Sequence, residues 1–443
     1  MNKNMNTFSN RNTMKVVSIT KWLLILVVAL FSAQACSDNE STSVWDPSAE
    51  APITVNPEII SINPPGGYLA GVDAITVTGS GFPTNVEDIS IYFSGESDRG
   101  VKGLIQSATT TELVVRPPQL VGNDLDVVIS TAGTERLSNI IKYSLAAPQL
   151  PGYATFNDKA DEPLNIAFGP DNTLFVALIS GGNPQGIAKV DLNTETQAAA
   201  PYILANNRFR FDDIGFAGGE LYMALGIRAV FRGIEGAREA AHFIMPNPFN
   251  FVGFDMDNEG NMWLVGDNTH IVRHQPQSNR VNISSVSNLP DNTKIYDFAA
   301  DASAVFYFEN KVYVVGNDGD AAKIWTLDLD ANRDVVAVNE FANLSVLLGN
   351  VNLATNQFTD MTMAADGMIY ISTNRPEAII EVQADGSAAA GLYPGVVLPT
   401  INALYWQDNS EYLFISRVAP DGVEYTNNVL RINMQKSGAP DYK

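Results

Sequence analysis

The stretch Phe254-Asp-Met-Asp-Asn-Glu-Gly-Asn-Met-Trp-Leu-Val265 decides the fold, because it contains two short apolar strands joined by a tight polar turn. The same arrangement recurs along the second part of the chain, with an aromatic residue usually in the second strand. Copies are spaced by 40 to 63 residues, and their equivalent positions are Ile166, Ile214, Phe254, Phe298, Met361 and Leu404. A repeat of this length, present six times, predicts a six-bladed β-propeller.

Further strands complete the predicted blades. A third strand follows each copy, and outer fourth strands are expected around residues 198–203, 240–245, 280–286, 335–341 and 388–393. Too little chain follows Ile432 for a sixth outer strand, so we expect residues 152–156 to supply it and to close the ring. The longest step between copies contains an extra segment, 343–357, which is expected to form a loop on one face.

The repeat resembles the NHL repeat, whose unit reads apolar-Ala-Val-Asp-x-x-Gly-Asn-apolar-Tyr-Val. The copy at residues 254–265 matches it best, and the resemblance covers residues 150–443. It implies an NHL-like six-bladed β-propeller over this whole segment.

Residues 57–146 form a separate predicted domain. Apolar and polar residues alternate in short runs at 59–62, 74–78, 89–93, 112–116, 125–130 and 140–144, with glycine and proline between them. The stretches Ile60-Ser-Ile-Asn-Pro64 and Ile75-Thr-Val-Thr-Gly-Ser-Gly-Phe82 resemble the IPT/TIG family. That resemblance implies an immunoglobulin-like β-sandwich used as a spacer or interaction module. The predicted fold class is therefore all-β, an Ig-like β-sandwich followed by a six-bladed β-propeller.

The beginning of the chain predicts its location. Four basic residues precede an apolar run at 22–31, which is typical of a secretory signal. The following Ser32-Ala-Gln-Ala-Cys36 resembles the lipobox of bacterial lipoproteins, which implies a signal peptide at 1–35 and acylation of Cys36. Residues 36–56 then read as a polar tether, and Ser37-Asp-Asn-Glu40 resembles a signal for surface export. The expected location is the outer face of the outer membrane, with membrane lipid as the partner of Cys36. The alternative is an ordinary signal peptide that leaves a free cysteine.

The net charge of the chain limits the kinds of partner that it can bind. The chain has 443 residues, and its 49 acidic against 27 basic residues give a formal net charge of -22. Nucleic acid is therefore excluded as a partner, because binding a polyanion requires clustered cations.

The predicted binding site lies where the six inner strands begin, at one mouth of the propeller channel. Side chains of Asp and Asn recur there and could hold a hard cation such as Ca²⁺ or hydrogen-bond sugar hydroxyls. The alternative is that they cap turns. Arg208, Arg210 and the aromatic residues Phe209, Phe249, Phe251, Tyr296 and Trp406 are candidates for a rim that stacks on sugar rings, or else they are packed in the core. The proposed ligand residues are Asn165, Asp213, Asp297, Asp360, Asn402, Arg208, Arg210 and Trp406.

These features favour a non-catalytic surface lipoprotein that binds an extracellular ligand, with a polysaccharide as the best single choice. This domain arrangement resembles that of accessory lipoproteins of outer-membrane uptake systems. The resemblance implies an outer-membrane transporter as a further partner. Two alternatives stay open. One is a metal-dependent hydrolase of the lactonase type, although no Glu occupies the mouth position of the first blade where such enzymes carry a ligand. The other is a surface scaffold for protein interactions.

Overall fold

Short antiparallel strands follow one another along almost the whole of the described chain. A computed structural model of the protein describes residues 55–95, 100–134, 136–150, 160–169, 173–194, 196–198, 200–205, 210–266, 269–349, 358–407, 409–423 and 426–443. The predicted signal peptide, Cys36, the tether up to residue 54, Arg208 and Phe209 lie outside these residues. Within the ranges given, no helix combines the length and the hydropathy needed to cross a bilayer.

The first domain is the expected Ig-like sandwich. Its strands are β1 (Glu58–Asn63), β2 (Tyr68–Leu69), β3 (Ile75–Ser80), β4 (Ile89–Ser94), β5 (Val101–Ala108), β6 (Glu112–Arg116), β7 (Gly122–Thr131) and β8 (Ile141–Ala146). Buried and half-buried residues alternate along β3 and β4, so one face of each packs into the core. Strand β5 joins the two layers, because residues 101–103 pair with β4 and residues 104–108 pair with β6. The sequence did not reveal β2 and β5, and β5 lacks a regular apolar alternation.

Six sheets form the propeller that follows. Strand β9 (Gln149–Leu150) precedes them. Blade one contains β10 (Asp161–Gly169), β11 (Thr173–Ser180), β12 (Asn183–Asp191) and β13 (Thr196–Gln197), and blade two contains β14 (Asp213–Ala217), β15 (Glu220–Ala224), β16 (Ala229–Gly233) and β17 (Ala240–Ile244). Blade three contains β18 (Gly253–Met256), β19 (Met262–Val265), β20 (His270–His274) and β22 (Thr293–Asp297), and β21 (Val281–Asn282) lies between the last two in sequence.

The remaining blades follow the same order. Blade four contains β23 (Asp301–Phe308), β24 (Lys311–Asp318), β25 (Ala321–Leu329) and β26 (Val335–Asn343), and blade five contains β27 (Phe358–Met363), β28 (Ile369–Thr373), β29 (Ile379–Val382) and β30 (Ala389–Gly391). Blade six contains β31 (Ile401–Trp406), β32 (Tyr412–Arg417) and β33 (Asn428–Asn433). Its outer strand is β9, since Leu150 pairs with Arg431 and Gln149 with Ile432. A strand preceding blade one thus closes the ring; the predicted residues 152–156 lie outside the described chain.

Two predicted strand positions are wrong. Asp297 does not begin an inner strand, because Thr293–Asp297 pairs with β20 as the outer strand of blade three. The inner strand of blade four is β23, an apolar run that ends at a tight turn in which Glu309 and Asn310 both have positive φ. The predicted outer strand at 280–286 contributes only β21, which pairs in parallel with β17 and extends blade two. Between blades four and five, the predicted loop includes one helical turn, Leu344–Leu347.

The Ig-like domain packs directly on the propeller. One apolar cluster contains Ile75 and Val77 of the first domain together with Leu392 and Tyr393 of blade five. The Tyr393 hydroxyl donates to the carbonyl of Ala70 at 2.9 Å, and its N–H donates to Gln119 Oε1 at 3.3 Å. A shared core and buried hydrogen bonds hold two domains as one body. The first domain is therefore fixed against blades five and six.

Candidate functional site

The inner strands β10, β14, β18, β23, β27 and β31 begin around one end of the propeller channel. Residues at or just before these starts surround a cavity of about 520 Å³, which we call the mouth cavity. This volume is within the range of small-molecule sites. Every blade contributes to its lining, which consists of Leu164, Arg210, Phe211, Asp212, Val252, Asp301, Ala302, Ser303, Phe358, Thr359 and Asn402.

Hydrogen-bonding side chains alternate with apolar ones around this cavity. Its described lining contains a guanidinium, two carboxylates, two hydroxyls and an amide, from Arg210, Asp212, Asp301, Ser303, Thr359 and Asn402. The rings of Phe211 and Phe358 are buried and fix the strand starts beside them. A small polar ligand in this cavity could therefore accept and donate hydrogen bonds on several sides.

Contacts with neighbouring residues hold Asp212 in position at the mouth cavity. Its N–H donates to Ala224 O at 2.9 Å, and its carbonyl accepts from Asn165 Nδ2 at 2.8 Å. A Cβ at Gly226, whose φ is +62°, would lie 2.6 Å from Asp212 Oδ2, so glycine leaves room for the carboxylate. Burial raises the pKa of Asp212 to about 6, with Arg210 opposing that shift and Asp213 adding to it. The group titrates close to neutral pH.

Below the mouth cavity, carboxylates connect the inner strands of successive blades. Asp213 Oδ2 of blade two accepts from the N–H of Phe254 in blade three at 2.8 Å. Asp255 Oδ2 of blade three accepts from the N–H of Tyr307 in blade four at 2.6 Å. Asp360 Oδ2 accepts from the N–H of Leu404 in blade six at 2.8 Å. These bonds satisfy backbone donors at the open inner edges of the sheets.

Lys443 enters the same channel from the opposite end. The segment leading to it runs along blade five, where the N–H of Ala439 donates to Met363 O at 2.9 Å. The ammonium of Lys443 lies 3.0 and 3.2 Å from the two carboxylate oxygens of Asp213. Its side chain is 9% exposed. The Tyr405 hydroxyl donates to the Lys443 carbonyl at 3.1 Å, which fixes the backbone at this point.

The charged groups in the channel shift each other's pKa values. Burial acts to lower the pKa of Lys443, but the carboxylates of Asp213, Asp360 and Asp255 outweigh it and raise that pKa. Burial raises the pKa of Asp360 to about 7 and that of Asp255 well above its ordinary value. The Lys443 ammonium therefore faces a group of carboxyls whose protonated form is favoured by burial. Among the described residues, no three His, Cys, Asp or Glu side chains are grouped so as to hold a metal ion.

The structure separates the residues that the sequence grouped at the mouth. Asn402 and Arg210 line the mouth cavity. Asn165, Asp213 and Asp360 lie on inner strands, where they are buried and hydrogen-bonded to the neighbouring blade.

Two of the predicted ligand residues lie elsewhere. Asp297 ends the outer strand of blade three with a fully exposed side chain, because the inner strand starts four residues later. Trp406 ends β31, is 3% exposed and packs against Tyr370 in the core. Phe249 and Phe251 are likewise buried, so they belong to the core and not to a stacking rim.

Several site residues escaped the sequence analysis. Asp212 and Thr359 each precede a predicted ligand residue by one position, and Asp301 follows Asp297 by four, but the orientation of these side chains toward the cavity depends on how each strand begins. Asp255 was missed because it is the third residue of β18, past the strand start at which the site was predicted. Lys443 carried no local signal, since its partner Asp213 is 230 residues away.

Replacing Lys443 tests the charge balance of the channel. Lys443→Met should destabilise the propeller by about 3–5 kcal/mol, because it leaves a buried carboxylate without its counter-ion. Lys142→Met is the matched control, since Lys142 pairs with Asp126 at the surface and should change stability little. Chemical denaturation measures both. Adding Asp213→Asn should recover part of the loss in Lys443→Met, and equal stabilities of Lys443→Met and Lys142→Met would contradict this assignment.

Comparisons with known proteins agree with the predicted family of the first domain. Residues 57–145 match the IPT/TIG domain family. No curated protein matches the chain. A structural genomics protein of unknown function from Bacteroides thetaiotaomicron is 14% identical, with 87% of this chain and 98% of that chain covered and a TM-score of 0.41. A protein of unknown function from Bacteroides caccae is 12% identical, with 64% and 96% covered and a TM-score of 0.36. The WD40 β-propeller domain of Doa1 is 11% identical, with 83% and 96% covered and a TM-score of 0.37. This chain thus consists, over its described residues, of an IPT/TIG domain followed by a six-bladed β-propeller.

Proposed function

We propose that this protein is a non-catalytic binding protein that holds a hydroxyl-rich ligand, such as the end of a polysaccharide, in the mouth cavity. The observation that carries the proposal is the lining of that cavity, where hydrogen-bonding side chains from four blades face one space of about 520 Å³. An IPT/TIG domain joined to a propeller fits an interaction scaffold, and the mouth cavity gives that scaffold a specific binding position.

The chemistry of the lining suits sugar hydroxyls. The carboxylates of Asp212 and Asp301 accept hydrogen bonds, the guanidinium of Arg210 donates them, and the Asn402 amide does both. Two carboxylates against one guanidinium disfavour an anionic ligand. A neutral ligand with several hydroxyls therefore matches this set of groups best.

The channel itself does not favour the hydrolase alternative. The inner-strand carboxylates that would bind a catalytic metal already accept backbone N–H groups of the next blade. Asp213 also pairs with Lys443. These contacts give the carboxylates a structural role, which is to connect the blades, and that role does not involve a metal ion.

The proposed setting is the cell surface. The basic and apolar residues before Cys36 support export and acylation, and the acidic residues after it support exposure on the outer membrane. In that setting the propeller would present the ligand to an outer-membrane transporter. This arrangement is part of the proposal and rests on the sequence alone.

Affinity electrophoresis of residues 36–443 in gels containing neutral polysaccharides tests the proposal. We expect at least one of starch, inulin, levan, mannan, xylan or mixed-linkage glucan to retard the protein. Asp301→Ala and Asn402→Ala should each weaken retention about ten-fold, since a buried polar contact to a ligand contributes about 1.4 kcal/mol or more. Asp297→Ala is the matched control, because that carboxylate lies on an outer strand. No retardation by any of the six, or equal retardation of the mouth variants and the wild type, would contradict the proposal.

Binding at this cavity should depend on pH. Above its pKa of about 6 the Asp212 carboxylate accepts hydrogen bonds from ligand hydroxyls, and protonation below that value removes acceptor capacity. Affinity should therefore fall several-fold as the pH drops through 6. Asp212→Asn should bind more weakly at neutral pH and lose this dependence. Calorimetric titration across that range measures the effect, and an unchanged profile in Asp212→Asn would show that another group controls binding.

A further inference from the structure

A second cavity lies at the other end of the channel, among the hairpins that connect the first and second strands of the blades. It has a volume of about 490 Å³, and we call it the hairpin-face cavity. The lining residues that matter here are Asn258, Tyr307, Glu309, Asn310, Arg333 and Tyr442. Lys443, which follows Tyr442, is buried and pairs with Asp213 of blade two.

Arg333 contacts several of the other side chains at this cavity. Its side chain is only 10% exposed. One guanidinium nitrogen donates to the Tyr307 hydroxyl at 3.0 Å and also to Asn310 Oδ1, and the other donates to Asn258 Oδ1. Nε lies 3.1 Å from a carboxylate oxygen of Glu259. A guanidinium with this many partners holds both amides in fixed orientations and keeps little capacity for a ligand of its own.

Three residues of the cavity lining have an unusual backbone conformation. Glu309, Asn310 and Arg333 have φ of 48°, 64° and 62°, in the left-handed region that non-glycine residues rarely adopt. All three line the hairpin-face cavity. For Glu309 and Arg333 this conformation is strained relative to glycine. The tight turn at Glu309 and Asn310 places both of these residues at the cavity.

An open aromatic ring completes the site. Tyr442 is 41% exposed, and its ring contacts that of Tyr307 edge to face at a centroid distance of 5.9 Å. The face of Tyr307 is covered by the Arg333 guanidinium, 5.6 Å from the ring centre. Tyr442 is therefore the ring available for stacking, with the side chains of Asn258, Asn310 and Glu309 around the same cavity.

We propose that the hairpin-face cavity is a second binding site, which takes an uncharged, hydroxyl-bearing ring of the pyranose class stacked on Tyr442. An exposed aromatic ring matches the apolar face of a sugar, and amide and carboxylate groups match its hydroxyls. The lining carries one guanidinium and one carboxylate, from Arg333 and Glu309, so it offers no net charge to an ionic ligand. This inference does not depend on the mouth cavity, since the two cavities share no lining residue.

Saturation-transfer difference NMR with the methyl glycosides of glucose, galactose and mannose tests the site on residues 36–443. At least one glycoside should receive saturation, and Tyr442→Ala should weaken its binding at least ten-fold while Tyr442→Phe keeps it. Glu309→Gly should also weaken binding several-fold and should preserve or raise the melting temperature, because glycine suits a positive φ.

A mouth variant serves as the matched control. Asp301→Ala should leave binding at the hairpin-face cavity unchanged, so failure at one end of the channel is distinguishable from failure at the other. The proposal is overturned if none of the three glycosides receives saturation, or if Tyr442→Ala binds as the wild type does. It is also overturned if Asp301→Ala, and not Tyr442→Ala, abolishes the signal.

Discussion

The hydrogen bonds between Asp side chains and backbone N–H groups of the next inner strand are the interaction on which the propeller depends. Each blade is a sheet with an open inner edge at the channel, and a backbone donor at such an edge needs an acceptor. Asp213, Asp255 and Asp360 supply acceptors at 2.6–2.8 Å. Because each bond joins two blades, these carboxylates connect the ring near its axis, while β9 closes it at the periphery.

Placing carboxylates near the axis creates an electrostatic problem that Lys443 addresses. Burial raises the pKa values of these three acids, and a neighbouring carboxylate adds to the shift at Asp255 and Asp360. The Lys443 ammonium lies against Asp213 and lowers the cost of its charge. The propeller carries a mouth cavity at one end of the channel and a hairpin-face cavity at the other, and the two share no lining residue.

The sequence was sufficient for the architecture and only partly sufficient for the site. Apolar strands and polar turns are local features, so the six blades and the Ig-like domain could be read from their spacing. Blade four was misplaced because Phe298 mimics an inner-strand position, whereas the true strand starts at Asp301. Of the predicted ligand residues, Asn402 and Arg210 line the mouth cavity. Asp212 and Thr359 were missed, since a shift of one residue decides whether a side chain faces the cavity or the next blade.

Amide hydrogen exchange at Phe254, Tyr307 and Leu404 tests the central claim most directly, because these N–H groups donate to side chains and not to a strand ladder. If the carboxylates connect the inner strands, these three amides should exchange as slowly as ladder amides in the middle strands β15, β19 and β28. Exchange at the rate of open loop amides would contradict the claim and would leave packing alone to hold the blades together.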